Sequence, residues 1–327
     1  MSDKIRWGIL STGRIAGKFA TGLAAIPDAE LVAVGSRSQE SADRFGDEHN
    51  VLRRHPSYEA LANDPVVDAI YVATPHPFHK DNAMLCLEAG KAVLCEKPFA
   101  MNAQEAEEAI RCARENKRFL MEAMWTRFIP ANVKVRELLA ENAIGDVRMV
   151  HAKFCFRSGW NPEGRLLNPK LGGGGLLDVG IYTVSYASMI MGRQPDRIVS
   201  LADIGETGVD EQASMVFGYD GGELATLTCA VRTRTRHDAL ISGTDGFIEV
   251  HEPFWHSQGL TLVTGEGEET FEIPHDDNGY QYEAMEVMRC LRAGKLESDV
   301  MPLDETHAIM KTLDRIREQW GLMYPME

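Results

Sequence analysis

Three side chains in this sequence have types and spacing that could do acid–base chemistry: Lys97, Asp178 and Tyr182. Lys97 stands in Cys95-Glu96-Lys97-Pro98, directly after a short apolar run, where a buried strand stops and lysine is seldom placed. An ammonium there can hold a hydroxyl and lower the pKa of a neighbouring acid; the plainer reading is a surface lysine opening a loop. Asp178 and Tyr182 follow Gly172–Gly175 in a stretch of helical pattern, at positions i and i+4, so they share a face one turn apart. Tyrosine ionises near pH 10, and forming its phenolate at neutral pH costs about 4 kcal/mol. A nearby cation such as Lys97 reduces that cost, and the pair then suits an alcohol–carbonyl couple. Alone, Tyr182 also reads as a core tyrosine. Its conjunction with Lys97 and the glycine run favours the chemical reading.

A second set of residues fits a dinucleotide. Ser11-Thr12-Gly13-Arg14-Ile15-Ala16 follows an apolar strand-like run and opens a helical one, the G-x-G-x-x-G/A pattern with serine in the first glycine place. Gly13 permits close approach of backbone to a pyrophosphate, Ala16 permits close helix–strand packing, and the helix start at Arg14 offers N–H groups and a positive dipole end. Roughly 20 residues further on, where an NAD site carries an acid for the ribose 2′-hydroxyl, the sequence has Ser36 and Arg37 instead. A hydroxyl and a guanidinium suit a 2′-phosphate, which predicts NADP(H) over NAD(H). A solvated loop arginine is the competing reading. Thr74-Pro75-His76-Pro77-Phe78-His79 and Glu96-Lys97 follow the next two strands, and the carboxyl ends of strands in an open α/β sheet line the ligand crevice. Thr74, Pro75, His76, His79 and Glu96 are therefore candidates for the nicotinamide end, although histidines after a strand are as often structural.

The elements that must position these groups fall into two patterns. Up to Glu122, apolar strands (Ile5–Ser11, Glu30–Ser36, Asp68–Thr74, Ala92–Cys95, Arg118–Glu122) alternate with helices (Arg14–Ala25, Ser41–His49, His79–Ala89, and one capped by Asn102 with Glu105 at capping-box spacing). Strands apolar throughout and separated by single helices predict a doubly wound parallel sheet, a Rossmann domain over residues 1–124. Residues 125–327 predict an α+β domain with a large, mostly antiparallel open sheet. A helix at Pro130–Glu141 leads into a strand, Arg148–Arg157, and the glycine run into a helix, Leu176–Met191. Hairpin turns follow at Tyr219–Gly222, Thr244–Gly246 and Gly265–Gly267, then helices at Tyr280–Ala293 and Leu303–Trp320. Leu224–Val231 has no charge on either alternating face, which predicts that another subunit, or a helix of the same chain, covers its outer side.

The bulk composition narrows the partners. A formal charge of −15 over 327 residues disfavours nucleic acid and anionic membrane surfaces. The opening MSDKIRWGIL has too short an apolar run for a signal peptide or a membrane span. Six scattered cysteines without a C-x-x-C pair read as buried thiols rather than a disulfide or zinc framework, and no metal site is expected. These features fit a cytoplasmic protein with a small-molecule substrate.

At the residues quoted, the sequence resembles the Gfo/Idh/MocA oxidoreductases along nearly its whole length: the Ser11–Ala16 turn, Thr74-Pro75…His79, Glu96-Lys97-Pro98 and Gly173–Tyr182. Met84–Pro98, Met121–Phe128 and Asp178…Tyr182 resemble the dimeric dihydrodiol dehydrogenase and NADP-dependent xylose dehydrogenase branch in particular. The resemblance implies Lys97 and Tyr182 as the catalytic pair with Asp178 beside them, a sugar, polyol or cyclic trans-diol substrate, and a homodimer or tetramer joined through sheet faces. Inositol dehydrogenases usually have histidine at the place of Tyr182, which makes inositol a poorer fit. Trp125, Arg127, Phe154 and Trp255 are candidate walls of the substrate pocket, since aromatic faces suit both sugar C–H faces and aromatic diols; each is equally explicable as core. Two other functions share the fold. One is a cofactor-sensing regulator without turnover, which need not keep a lysine at position 97. The other is an aldose–aldose oxidoreductase with permanently bound cofactor, against which stands the lack of a clamping arm before Lys4.

Overall fold

The computed structural model describes residues 4–327, so Met1–Asp3, on which part of the leader and arm readings falls, lie outside the described residues. The chain forms two compact units. Among the described residues, the first holds 4–125 and 276–307, and the second holds 126–275 and 308–327. A single boundary near 124 was expected. The chain instead returns to the first unit after the hairpins, because the helix near the C-terminus packs on it: Asn278 donates to the Lys18 carbonyl at 2.8 Å and Arg292 pairs with Asp28 at 2.6 Å.

In the first unit the order is β1 (Ile5–Leu10), α1 (Arg14–Ala24), β2 (Ala29–Gly35), α2 (Gln39–His49), β3 (Arg53–His55), α3 (Tyr58–Ala62), β4 (Ala69–Val72), α4 (His79–Glu88), β5 (Ala92–Glu96), α5 (Ala103–Asn116) and β6 (Leu120–Ala123). The six strands are all parallel in the order β3-β2-β1-β4-β5-β6. β4, β5 and β6 are buried at every position, as a sheet covered on both faces requires. Strand order reverses between β1 and β4, and ligands of such sheets bind outside the carboxyl ends of the strands at that point. The expected capping box opens α5: Asn102 Oδ1 accepts the Glu105 N–H at 2.9 Å, and the Glu105 carboxylate reaches back to the Met101 N–H at 3.1 Å. The short β3 and α3 were not anticipated, because Arg53-Arg54-His55 is polar and carries no strand signature.

The second unit contains α6 (Pro130–Ala140), β7 (Val147–Cys155), α7 (Ile181–Met191), β8 (Arg197–Ile204), β9 (Asp210–Gly218), β10 (Leu224–Ala230), β11 (Ala239–Gly243), β12 (Gly246–Val250), β13 (Gly259–Thr264) and β14 (Gly267–Glu272). After it come α8 (Gln281–Arg292), in the first unit, and α9 (Leu303–Trp320), in which residue 308 begins the return to the second. The eight strands follow the order β14-β13-β12-β11-β7-β10-β9-β8. Only β7 and β10 run parallel; the other neighbours are antiparallel. α7 is buried almost all round against one face of this sheet. On β10, Ala225, Leu227 and Cys229 point into that core. The opposite face carries Leu224, Thr226 and Thr228 and continues through Val216 to Val199 and Leu201, which are 69% and 80% exposed.

The helix expected over Leu176–Met191 starts with a π-helical turn, Leu176–Gly180, and only then becomes α7. Asp178 lies in that wide turn and Tyr182 in the first turn of α7, so the strict α-helical spacing assumed for them does not hold between them.

Candidate active site

Within the first unit, the phosphate end is built by backbone. β1 ends at Leu10 and Ser11 takes φ 94°, a left-handed conformation that favours glycine, so serine occupies a glycine's geometry in the turn. The Ser11 N–H donates to the Gly35 carbonyl at 2.9 Å, which ties the turn to the end of β2. Gly13 is the N-cap of α1, with no side chain capping the helix and no acid in its first turn. A Cβ added at Gly13 would meet nothing of the protein nearer than Ser11 Oγ at 4.0 Å. Uncapped N–H groups facing open space are what a pyrophosphate needs, so the residues present fit a dinucleotide.

At the end of β2, Ser36 is buried, 3.5 Å from the Thr12 hydroxyl, whereas Arg37 is exposed. Tyr58, on the unanticipated α3, bonds Ser11 and lies in the field of Arg37. Burial raises its pKa, with Arg37 and Ser11 opposing. No acid competes for Arg37 at the end of this strand.

The strand ends proposed for the nicotinamide turn out to be braced internally. His79 is fully buried, with Nδ1 2.7 Å from the Pro98 carbonyl and Nε2 2.7 Å from the Thr74 carbonyl. Burial and the charge of Lys97 outweigh the two carbonyl contacts and lower its pKa to about 4, so at neutral pH one of the two ring nitrogens donates to its carbonyl. Its ring joins the loops after β4 and β5 and has no nitrogen left for a ribose. His76 is 5% exposed and packs edge-on against His79. Thr74 accepts from Asn82 at 3.3 Å. Glu96 likewise turns inward: it accepts a short hydrogen bond from the Tyr71 hydroxyl and, at 3.1 Å, the backbone N–H of Lys97. Glu96 thereby orients the Lys97 backbone rather than reaching outward. Beside it lies Glu283 of α8, whose pKa is raised well above the carboxylate range by burial and then by Glu96. Trp125 stacks on Tyr280, with centroids 4.4 Å apart.

In the second unit, Tyr182 is 6% exposed at the edge of an aromatic cluster. Phe154 and Trp255 stack face to face at 3.4 Å, and the Tyr182 ring lies 5.2 Å from Phe154 and 6.4 Å from Trp255. His237 closes the group 4.7 Å from Trp255, its Nε2 2.6 Å from the Cys155 carbonyl. Phe154 and Trp255, from distant segments, thus meet Tyr182. Asp178, 4% exposed, pairs with Arg165 at 2.5 Å. Arg127 points its guanidinium at Ser185 of α7, 3.2–3.3 Å away, which makes it a brace for the helix that carries Tyr182. Arg165 and His237 carry no local signal: both stand in polar loop text, and only folding brings them to Asp178 and Trp255. The six cysteines are all buried, as read, and burial pushes Cys86 to about 12 and Cys95 and Cys229 well above the thiol range.

A parallel sheet with a bare helix N-terminus at its switch point defines a dinucleotide-binding Rossmann fold. Residues 5–124 match the family described as "Oxidoreductase family, NAD-binding Rossmann fold", and residues 132–249 match "GFO/IDH/MocA C-terminal domain". The chain belongs to the Gfo/Idh/MocA oxidoreductases. It is 41% identical to trans-1,2-dihydrobenzene-1,2-diol dehydrogenase of Mus musculus over 334 residues, covering 99% of each chain, and 39% identical to that of Homo sapiens over 333 residues, again 99% of each. In fold it is similar to an aldose–aldose oxidoreductase from Caulobacter crescentus (TM-score 0.88, 24% identity, 97% of this chain and 98% of that one). A 3-ketoreductase from Actinomadura kijaniata, crystallised with NADP and TDP-benzene, has a TM-score of 0.85 at 24% identity, with the same coverage.

Proposed function

We propose that this protein is an NADP(H)-dependent dehydrogenase or reductase acting on a CH–OH/C=O group of a cyclic trans-diol, sugar or polyol. The bound nicotinamide would supply the hydride donor or acceptor; the chain's own residues do the rest. Ser11, Thr12, Gly13, Arg14 and Ile15 hold the pyrophosphate at the start of α1. Ser36 and Arg37 take the 2′-phosphate, and Thr74, Pro75 and His76 line the nicotinamide end. Tyr182 exchanges a proton with the substrate oxygen. Lys97 hydrogen-bonds that oxygen and favours the phenolate, while Asp178, oriented by Arg165, holds a second hydroxyl. Phe154, Trp255 and Trp125 offer ring faces to the substrate.

The observation that carries this reading is the Tyr182 ring lying against the stacked Phe154–Trp255 pair, a hydroxyl beside a wall suited to flat or C–H-rich rings. The test is turnover of a panel of trans-dihydrodiols and aldoses with NADP+ and NAD+, repeated on Lys97→Ala and Tyr182→Phe. Loss of a general acid–base group is expected to lower kcat by about 100-fold or more. Both variants keeping wild-type kcat with intact cofactor binding overturns the assignment. Absence of turnover across the panel despite tight NADPH binding supports a sensor instead, and cofactor retained through desalting supports an aldose–aldose oxidoreductase. We further propose that a second copy of the chain, in the cytoplasm, covers the outer sheet face around Val199, Leu201, Val216 and Leu224, which are 69%, 80%, 44% and 41% exposed.

A further inference from the structure

Asp210, the first residue of β9, is a fully buried carboxyl that the chemistry above does not use. Its Oδ2 accepts the Leu176 N–H at 2.6 Å, at the start of the π-helical turn that carries Asp178 and runs into Tyr182. Its Oδ1 has no hydrogen-bond partner. From the C-terminal segment, the Tyr324 hydroxyl donates to the Gly173 carbonyl at 2.7 Å. The two side chains grip the glycine run so closely that Gly174, at φ 116°, has no room for a Cβ: one would lie 2.2 Å from Asp210 Oδ1 and 3.3 Å from the Tyr324 hydroxyl. Tyr324 is itself held, with its N–H bonded to Glu327 at 2.9 Å and the Arg317 guanidinium over its ring at 5.3 Å. Arg317 in turn pairs with Glu327 at 2.8 Å and Asp314 at 2.7 Å.

We infer that Asp210 and Tyr324 form a clamp on the Gly172–Gly175 run that fixes the stance of Asp178 and Tyr182, making both positioning residues for the proton transfer. This rests on the acid–base role proposed for Tyr182. Preorganisation is the physical reason: a displacement near 1 Å at a reacting group can cost about 100-fold in rate. The clamp also has a protonation state. The charged and titratable groups facing Asp210 are Arg317 of α9, Tyr324 of the C-terminal segment and the Cys229 thiol of β10. Burial raises Asp210 to about 7, against the N–H groups of Leu176 and Gly175 and the charge of Arg317. An ionised carboxylate accepts those N–H groups strongly, and its protonation weakens the grip. The clamp therefore tightens as pH rises through neutrality, although the buried charge then costs folding stability, since the unfolded carboxyl ionises near 3.9 and Asp210 only near 7.

The experiment compares Tyr324→Phe, Asp210→Ala and Asp210→Asn with the wild type, measuring kcat, cofactor KM, the pH profile of kcat and amide hydrogen exchange over 174–184. Tyr324→Phe and Asp210→Ala are expected to lower kcat about tenfold with cofactor KM nearly unchanged, and to speed exchange in that segment. Asp210→Asn, which is uncharged at every pH, is expected to hold kcat near the wild-type low-pH value throughout and so to lose the acid limb with a midpoint near neutrality. Wild-type kcat and wild-type exchange in both Tyr324→Phe and Asp210→Ala overturn the clamp. An unchanged acid limb in Asp210→Asn overturns its titration. Tyr182→Phe serves as the separate control: if it keeps full kcat while exchange loosens in the clamp variants, the role of Tyr182 fails and the clamp stands.

Discussion

Replacing Arg37 with alanine isolates the preference between the two nicotinamide cofactors at one exposed position. The end of β2 reads Gly35-Ser36-Arg37, with no carboxylate for a ribose 2′-hydroxyl and a guanidinium free of any acid in the same turn. At about 4 Å, a pair of unit charges is worth ~1 kcal/mol in water and ~4 kcal/mol in the effective dielectric near a protein surface. Arg37 is solvent-exposed, which favours the low end, and a hydrogen bond to a charged group contributes about 1.5–3 kcal/mol net. At ~1.4 kcal/mol per decade, Arg37→Ala should lower kcat/KM for NADP+ by about 10- to 150-fold. The NAD+ value should change by less than about twofold, because no 2′-phosphate is lost. The advantage proposed for NADP+ should also shrink as salt shortens the screening length from about 10 Å at 0.1 M to about 3 Å at 1 M. Steady-state kinetics with both cofactors at two ionic strengths reads all three quantities. An equal loss with NADP+ and NAD+, or a wild type tenfold better with NAD+, refutes the argument.

Two further outcomes concern stability and assembly. Asp64 has a fully buried side chain that accepts from Arg53, His55 and the Val66 N–H. Burial alone would raise its pKa, but these partners outweigh it and bring the carboxyl from 3.8 to about 2. Because the folded value lies below the unfolded one, the stabilisation is present above about pH 4 and is lost as pH falls through about 2. Trimmed for the half-exposed Arg53, it amounts to about 1–2 kcal/mol. Urea midpoints between about pH 5 and pH 2 should fall less steeply in Asp64→Asn than in the wild type, and parallel curves contradict this. On the outer sheet face, Leu201→Lys should shift the protein towards monomer in light scattering at micromolar concentration, and a wild type already monomeric there removes the subunit reading.

Much of the fold was legible from one dimension. The buried strands β4, β5 and β6 are apolar at nearly every position, so their period and length announce a covered parallel sheet. The hairpin turns after β9, β11 and β13 and the cap at Asn102 are local events set by a few adjacent residues, and they fall where expected. The turn at Ser11–Ala16 was readable for the same reason. β3 escaped because its pairing with β2, not its polar sequence, makes it a strand.

What the tertiary structure decided is which of the polar residues at those strand ends look outward. His79 and Glu96 carry chemistry in their types, yet burial and the nearest carbonyl or hydroxyl commit them to bracing the loops around Lys97. Arg127 is spent on Ser185, while Phe154, Trp255 and His237 are gathered around Tyr182 from far apart in the chain. Asp210 and Tyr324 meet at Gly174 in the same way. Local sequence fixes backbone dihedrals and which face is apolar, because those depend on neighbours within a turn or a strand. The partner of a buried polar group is set by whatever distant segment the packed core brings within hydrogen-bond reach, and no local pattern encodes it.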